Sequence, residues 1–395
     1  MGGSFIGGPS RQRPDDPRVI LARAFDSGHC RVAKAERREL SKVQGSGVGR
    51  GLRRDPGQRV TLRTVATALG LSITTVSRAL KEGPEVNRET IELVKRVAGE
   101  LGYRPNLGGL NLRTGKTHAI GIVLPFEREG EMNIVVASLV EGVSRHMKGY
   151  GYRTTVVPQL QADDPLATVR DLVEEGSVDG VIITHTRPQD DRVKYLLEVG
   201  TPFVTFGRTE LLSIHSNVDL DHEAIGAEAA RLLLDAGHHR PLLIAPSSQF
   251  TYSLQFVKGW SKTFTARNLT VPDDLIHFAA TTPDSGQELA KNIIAWHPEA
   301  TGAFVASEEA ALGFLAGLRK IGRHVGKDFA VITYGGTRLH DFFNPPLSAF
   351  YYSNYVIGER LASFLYRAIG GDDPSDLREL IRAEFVDHDS QALSA

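Results

Sequence analysis

The chain has 395 residues, 46 Lys+Arg against 47 Asp+Glu, 41% hydrophobic residues and one cysteine, Cys30. That length holds two or three domains of ordinary globular composition, and a lone cysteine excludes an intramolecular disulfide and a thiolate zinc cluster. No apolar run approaches the roughly 18 residues of a membrane span and no apolar signal core opens the sequence, so a cytoplasmic protein without a membrane partner is expected.

The near-zero net charge hides an asymmetry. Residues 1–59 carry 13 Lys+Arg against 6 Asp+Glu, residues 60–117 carry 9 against 5, and the remainder carries 24 against 36. A basic front on an acidic body points to a polyanion partner for the front alone. Residues 1–58 are rich in Gly, Arg and Pro, and read as a disordered basic extension. Their "GSGVG" has no flanking strand and helix, so it does not read as a phosphate loop.

Residues 59–106 read as three short helices. The first covers about Leu62–Leu69, with Val65, Ala66 and Leu69 on one face, and Gly70 allows a tight turn. Ser72 suits an N-cap for a second helix, Ile73–Leu80, whose inward stripe is Val76, Ala79 and Leu80. Asn87 caps a third, about Arg88–Leu101, with Ile91, Val94, Val97 or Ala98, and Leu101 facing in. "LGYRPN" then ends it. Residues 107–117, "LGGLNLRTGKT", form a connector. From residue 118 to about 390, apolar runs alternate with amphipathic helices: "AIGIVLP", "YRTTVVP", "DGVIITHT", "PFVTFGR", "PLLIAP", "LIHFAA", "GAFVAS" and "AVITY". Such runs predict parallel strands buried on both faces, in two doubly wound sheets with a ligand cleft between two α/β lobes.

Two helices on a tight turn, the second exposing Ser, Thr and Arg, fit a helix-turn-helix whose second helix enters the DNA major groove. Arg78 suits bidentate contact with guanine or a phosphate contact. Thr74 and Thr75 suit base edges or a thymine methyl, and Lys81 and Arg63 suit phosphates. A small bundle docking on a protein is the alternative for this pattern alone.

"VTLRTVATALGLSITTVSRAL", "VNRETIELVKRVAGELGYRPN", "VDLDHEAIGAEAARLLLDAGHHR" and "SEEAALGFLAGLRKIGRHVGKDFAVITY" together resemble the lactose/galactose repressor (LacI/GalR) family. The resemblance implies an all-α helix-turn-helix domain plus a two-lobe periplasmic-binding-protein-like domain. It also implies a homodimeric transcription regulator, a repressor, whose binding to double-stranded pseudo-palindromic operator DNA is controlled by a small-molecule effector, a sugar. It assigns base reading to Ile73, Thr74 and Arg78. Phosphate contacts fall to Thr61, Leu62, Thr75, Ser77, Asn87, Thr90, Tyr103 and Asn106, with Lys81 standing where relatives carry Asn. Leu112 matches the hinge leucine that wedges into the minor groove. Gly108 and Gly109 weaken that hinge helix by about 1 kcal/mol each. The stop at "VDHDSQALSA" favours a dimer over a tetramer.

For the effector, two family anchors are missing: the clamping arginine aligns with Phe256, and the first aspartate of a "GYDD" motif aligns with Gly335. Polar pocket positions remain at Arg208, Asp221, Ser307 and Glu308, and Phe126, Phe256 and Tyr352 are candidates to stack on a pyranose ring. His238–His239 lacks a partner pair at metal spacing, so no metal is expected there. Asp219 and Asp221 have no nucleophile or phosphate loop beside them, so no enzyme and no cofactor is expected. The alternative is a sugar-binding protein or an α/β enzyme without DNA function.

Overall fold

The computed structural model describes residues 60–104, 115–126, 134–160, 162–270 and 273–393. The basic extension, Asn106, Leu112 and most of the connector lie outside the described residues. Two compact units divide at residue 105.

In the first unit, α1 (Leu62–Leu69), α2 (Ile73–Leu80) and α3 (Arg88–Leu101) enclose one small core of Val65, Ala66, Val76, Ala79, Ile91, Val94 and Ala98. Of the two readings for α3, Ala98 faces inward and Val97 is only half-buried. Side-chain caps start all three helices, because short helices leave their first amides unpaired. The Oγ1 of Thr61 accepts from Thr64 N, Ser72 Oγ from Thr75 N at 3.0 Å, and Asn87 Oδ1 from Thr90 N at 2.7 Å. Gly70, at φ 66°, closes α1 in the left-handed conformation, and Leu71 N donates back to Ala66 O. That reversal delivers the chain directly into α2.

The second unit has two six-stranded sheets. The first has the order β11-β5-β4-β3-β1-β2 and is parallel throughout. It contains β1 (Ala119–Phe126), β2 (Arg153–Leu160), β3 (Gly180–Ile183), β4 (Phe203–Phe206), β5 (Asn217–Leu220) and β11 (Arg378–Ile381). The second has the order β12-β10-β9-β8-β6-β7, with only β12 antiparallel to its neighbour β10. It contains β6 (Leu242–Ala245), β7 (Ile276–Phe278), β8 (Gly302–Val305), β9 (Ala330–Gly335), β10 (Ser348–Tyr351) and β12 (Glu384–Val386). The eight expected strands are all present. The short β5, β10, β11 and β12 went unread, and β2 is an edge strand with mostly exposed or half-buried residues rather than a strand covered on both faces.

Among the described residues, eight α-helices cover these sheets: α4 (Ile134–Gly149), α5 (Pro165–Glu174), α6 (Asp191–Val199), α7 (His222–Asp235), α8 (Thr251–Ala266), α9 (Pro283–Trp296), α10 (Glu308–Lys320) and α11 (Asn354–Ile369). The chain passes between lobes three times: after β5 into α7, which packs on α8, after β10 into α11, which packs on α4 and the first sheet, and between β11 and β12. The first two crossings carry polar side chains into the space between the lobes.

Helix pairs pack at backbone contact. A methyl placed on Gly259 of α8 would fall 1.8 Å from Glu223 O, and one on Gly226 of α7 would fall 2.3 Å from Phe256 O. The carbonyls cannot yield without moving a whole helix. Gly259→Ala is therefore expected to destabilise the chain by about 1–3 kcal/mol through over-packing. Chemical denaturation of the full chain measures this, and an unchanged midpoint would show that the two helices separate freely.

Candidate functional site

The first unit presents one polar face. Val76 and Ala79 bury the inner stripe of α2, which turns Ile73, Thr74, Ser77, Arg78 and Lys81 outward. Ile73 is 43% exposed, unusual for a large apolar side chain on a three-helix core. Arg78 lies across from Glu85, Nε to Oε1 3.2 Å, with both side chains about half exposed. Such a pair is worth under about 1 kcal/mol, so the guanidinium is held but not committed. The Thr61 and Asn87 side chains are engaged as helix caps, and Thr75 Oγ1 lies 2.8 Å from Ser72 Oγ. The backbone N–H groups of Thr61 and Thr75 are engaged too, donating to Thr64 Oγ1 and Ser72 Oγ, and Leu62, Thr90 and Tyr103 are half-buried.

The second unit holds a cleft between its lobes, with two adjoining chambers. The inner chamber, about 170 Å³, is walled by Leu124, Leu139, Phe206, Tyr252, Tyr334 and Tyr352, with Asp219, His222, Ser307, Glu308, Glu309 and Asn354 among its polar groups. The outer chamber, about 420 Å³, shares His185, Pro246, Tyr252 and Thr281 with it and is lined further by Phe126, Gln159, Arg187, Gln249 and Phe250. Tyr334 and Tyr352 stack at 5.1 Å between ring centroids, as do Phe250 and Tyr252 at 5.6 Å. Flat aromatic faces beside convergent polar groups suit a ligand with both apolar faces and hydroxyl edges.

A polar chain runs along the first crossing. Arg208 Nε donates to Asp219 Oδ2 at 2.6 Å, Asp219 Oδ1 lies 3.5 Å from His222 Nδ1, and His222 Nε2 meets the Tyr334 hydroxyl at 3.0 Å. Burial opposes charge on Asp219, but His222 and Arg208 beside it more than offset that and hold its carboxyl below the usual range. Burial drives the Tyr334 phenol well above its ordinary value, so it stays neutral. Burial also raises Tyr352, to about 12. His185 has a positive φ of 52° and its carbonyl accepts from Arg192 Nη2 at 3.0 Å. Burial, aided by the Arg192 charge, pushes its imidazole down to about 4, so it is neutral at pH 7.

The seven expected effector residues divide by position. Ser307, Glu308 and Tyr352 line the inner chamber and Phe126 the outer one. Ser307 Oγ accepts from Ala310 N and donates to Glu309, so it caps α10. Glu308 Oε2 accepts from Thr337 N and Oγ1, and its Oε1 faces His340 Nδ1 at 3.0 Å. Phe256 is not on a cavity wall. It is fully buried, edge-on to His222, Phe304 and Tyr334, because the close approach of α7 and α8 draws it into the core. Asp221 accepts from Ala224 N as the cap of α7, and Arg208 is spent on Asp219, so neither lines a chamber. A methyl on Gly335 would fall 2.1 Å from the Glu308 carboxyl. The space that an aspartate would fill at that position already holds a carboxylate from the neighbouring strand end. Asp219 is read from the sequence only as half of a carboxylate pair with Asp221, and His222, Tyr252, Tyr334 and Asn354 are not singled out, since the group spans residues 219 to 354 with no shared spacing. His238 is structural: its ring nitrogens meet Thr301 Oγ1 and Gln391 O.

Known proteins match both units. The family model for bacterial regulatory proteins of the lacI family matches residues 61–106. The model for periplasmic binding proteins and the sugar binding domain of the LacI family matches residues 117–388. The chain belongs to the LacI family. It is a regulator of transcription that binds DNA through its helix-turn-helix. The HTH-type transcriptional regulator AglR of Rhizobium meliloti is 32% identical over 83% of this chain and 93% of its own. CelR of Thermobifida fusca is 26% identical over 84% of this chain and 98% of its own. A solved CelR–cellobiose complex covers 84% of this chain at a TM-score of 0.64 and 25% identity, with all of its own chain matched. The lac repressor dimer bound to operator and the anti-inducer ONPF shares the fold, at a TM-score of 0.74 over 85% of this chain and 100% of its own, with 20% identity.

Asp219 yields a prediction with a defined sign. Its folded pKa is depressed, so the Arg208–Asp219 pair stabilises the fold above the unfolded carboxyl pKa of about 3.9 and loses that contribution as pH falls through the lower folded value. Asp219→Asn is expected to cost on the order of 1–3 kcal/mol at pH 7, as for a hydrogen bond to a charged group. Its deficit against the wild type should shrink as urea unfolding is repeated at progressively lower pH. A deficit independent of pH would show that the ionised carboxylate is not what matters.

Proposed function

We propose that the chain acts as a cytoplasmic homodimer, a repressor, that reads a pseudo-palindromic operator with the outward face of α2 and is released or engaged by a sugar in its cleft. The outward face of α2 carries the DNA half of this reading: Arg78 supplies bidentate donors, Thr74 and Ile73 supply methyl and hydroxyl contacts, and Lys81 supplies a cation beside them. Thr61, Leu62, Thr75, Ser77, Asn87, Thr90 and Tyr103 stand as its phosphate contacts. Asn106 and Leu112, in the connector, are assigned phosphate contact and minor-groove insertion by family position.

The two chambers favour a ligand of two linked rings over a single one. In this reading one ring lies against Tyr252, Tyr334 and Tyr352 in the inner chamber, and the second extends into the outer chamber past Phe250 and Phe126. That cellobiose is bound by the CelR relative supports this class. Closing the lobes on a bridging ligand shifts the population between DNA-competent and incompetent states, which is all that control of binding requires. We read the cleft as a binding site rather than a catalytic one, because its Asp219, Ser307 and Glu308 side chains are held by Arg208, by Ala310 N and by Thr337 with His340.

Selection of duplexes from a random library by the full chain, followed by binding titrations, tests the DNA half. Arg78→Ala is expected to weaken binding to the enriched duplex by about 1–3 kcal/mol and relax base preference at one position of each half-site. Glu85→Ala, which removes the competing carboxylate, is expected to tighten binding by no more than about fivefold. No enriched duplex, or full affinity in Arg78→Ala, would contradict this assignment.

A further inference from the structure

The side chains of His340, Asp341 and His388 converge at the outer edge of the second sheet. His340 and Asp341 belong to a short 3-10 turn, Leu339–Phe342, after β9, and His388 follows β12. Asp341 Oδ1 lies 2.9 Å from His388 Nε2 and 3.6 Å from His340 Nε2, and the ligating atoms of all three residues lie within 4.8 Å of one another. Alone, the 2.9 Å contact is an ordinary hydrogen bond. The informative group is His340. It is fully buried, and its Nε2 has no hydrogen-bond partner although it points at Asp341 from 3.6 Å, too far for a bond. A buried ring nitrogen left unsatisfied costs about 1–3 kcal/mol, and needs a reason to be there.

The surroundings supply one. His340 Nδ1 faces Glu308 Oε1 at 3.0 Å, an arrangement in which Nδ1 carries the proton and Nε2 presents its lone pair. A carboxylate behind the far nitrogen is the arrangement that orients metal-bound histidines and raises their basicity. Asp341 is likewise braced, with Arg338 Nε on its Oδ2 at 2.6 Å, which leaves Oδ1 to the two rings. The His388 backbone is pinned by its N–H to Ser348 Oγ at 2.9 Å. His340 is sealed, whereas His388 and Asp341 are 29% and 22% exposed, which gives a cation a way in and room for a water.

We propose that His340 Nε2, His388 Nε2 and Asp341 Oδ1 form a binding site for a divalent transition-metal ion of the zinc class. Ligands about 2.0–2.1 Å from a tetrahedral ion stand about 3.3 Å from each other, and the separations of 2.9 and 3.6 Å straddle that value. Two imidazoles and one carboxylate select zinc-like ions over magnesium or calcium, which take oxygen ligands. Glu308 lines the inner chamber of the cleft and braces His340, so an ion here fixes the chamber wall and ties the C-terminal segment to the second lobe. This site stands apart from the DNA and sugar assignments and does not depend on them.

The test uses the untagged full chain, stripped with chelator and titrated with Co²⁺, whose visible bands report tetrahedral nitrogen and oxygen coordination, and then with Zn²⁺ in competition. One Co²⁺ per chain, displaced by Zn²⁺, is expected. His388→Gln and Asp341→Asn, both at the partly exposed rim, should each weaken binding by more than about 100-fold, beyond the 10–100-fold typical of losing a supporting group. His239→Gln, at an exposed histidine elsewhere, should bind as the wild type does. Circular dichroism confirms that each variant is folded. Absence of a stoichiometric site, or a site that survives both rim substitutions, would overturn the proposal.

Discussion

The second unit turns on the step from Asp219 to His222, where the chain leaves the first sheet and enters the helix that packs on the second lobe. Asp219 is tied back to its own lobe by Arg208, and His222 is tied forward to Tyr334 on the other. The gap between them, 3.5 Å from Oδ1 to Nδ1, is too long for a good hydrogen bond. This step is thus loosely held, while nearby Thr251 N and Oγ1 donate across to Thr186 O at 2.9 and 3.2 Å and tie the lobes together. A packed protein deforms at such joints rather than continuously through its cores. The cleft chambers lie against this step, so a ligand that contacts Asp219 or His222 with one edge and the Tyr334–Tyr352 stack with a face bridges the two lobes across it.

The DNA-reading unit follows a different logic. Its core is small, and each of its three helices depends on a side-chain cap to start. The caps consume Thr61, Ser72 and Asn87, and the core consumes Val76 and Ala79. What remains outward on α2 and its C-cap is exposed Ile73, Thr74, Arg78 and Lys81 with half-buried Ser77, one face of a helix. On α2 itself, stability and the proposed reading face are separated by this geometry, because Ile73, Thr74 and Arg78 lie outside the core formed by Val76 and Ala79. The exposed Arg78–Glu85 pair is cheap to exchange for a phosphate or a base, whereas Thr61 and Asn87 serve both as helix caps and as proposed phosphate contacts.

Much of this architecture is legible in the sequence because it rests on local signals. Gly70 followed by Ser72 marks the turn, and the Val76–Ala79–Leu80 spacing marks the buried face. Continuous apolar runs mark β1, β3, β4, β6, β8 and β9, which lie inside their sheets. The strands that escaped notice are short. "NVDL" of β5 is half polar, and β11 and β12 sit at sheet edges, where alternating charge is tolerated. The cleft was harder. Phe256 is three residues before a glycine, where the family places a ligand contact, yet that glycine brings two helices to backbone contact and the ring is swallowed by the core. Asp219, His222 and Tyr334 meet across more than a hundred residues, and His340 meets His388 across a β-strand pairing, so no local spacing encodes either group. The carboxylate missing at Gly335 is supplied from Glu308, a substitution visible only once the two strand ends are seen side by side.

These two units are useful to a cell only if the cleft speaks to the DNA-reading face. The most direct measurement is the affinity of the full chain for its selected operator, repeated with each of a panel of mono- and disaccharides while binding of the sugar itself is followed by calorimetry. The account predicts that at least one disaccharide binds in the cleft and changes operator affinity by about fivefold or more, the lower end of ordinary allosteric coupling. A sugar that saturates the cleft and leaves operator affinity unchanged would contradict it.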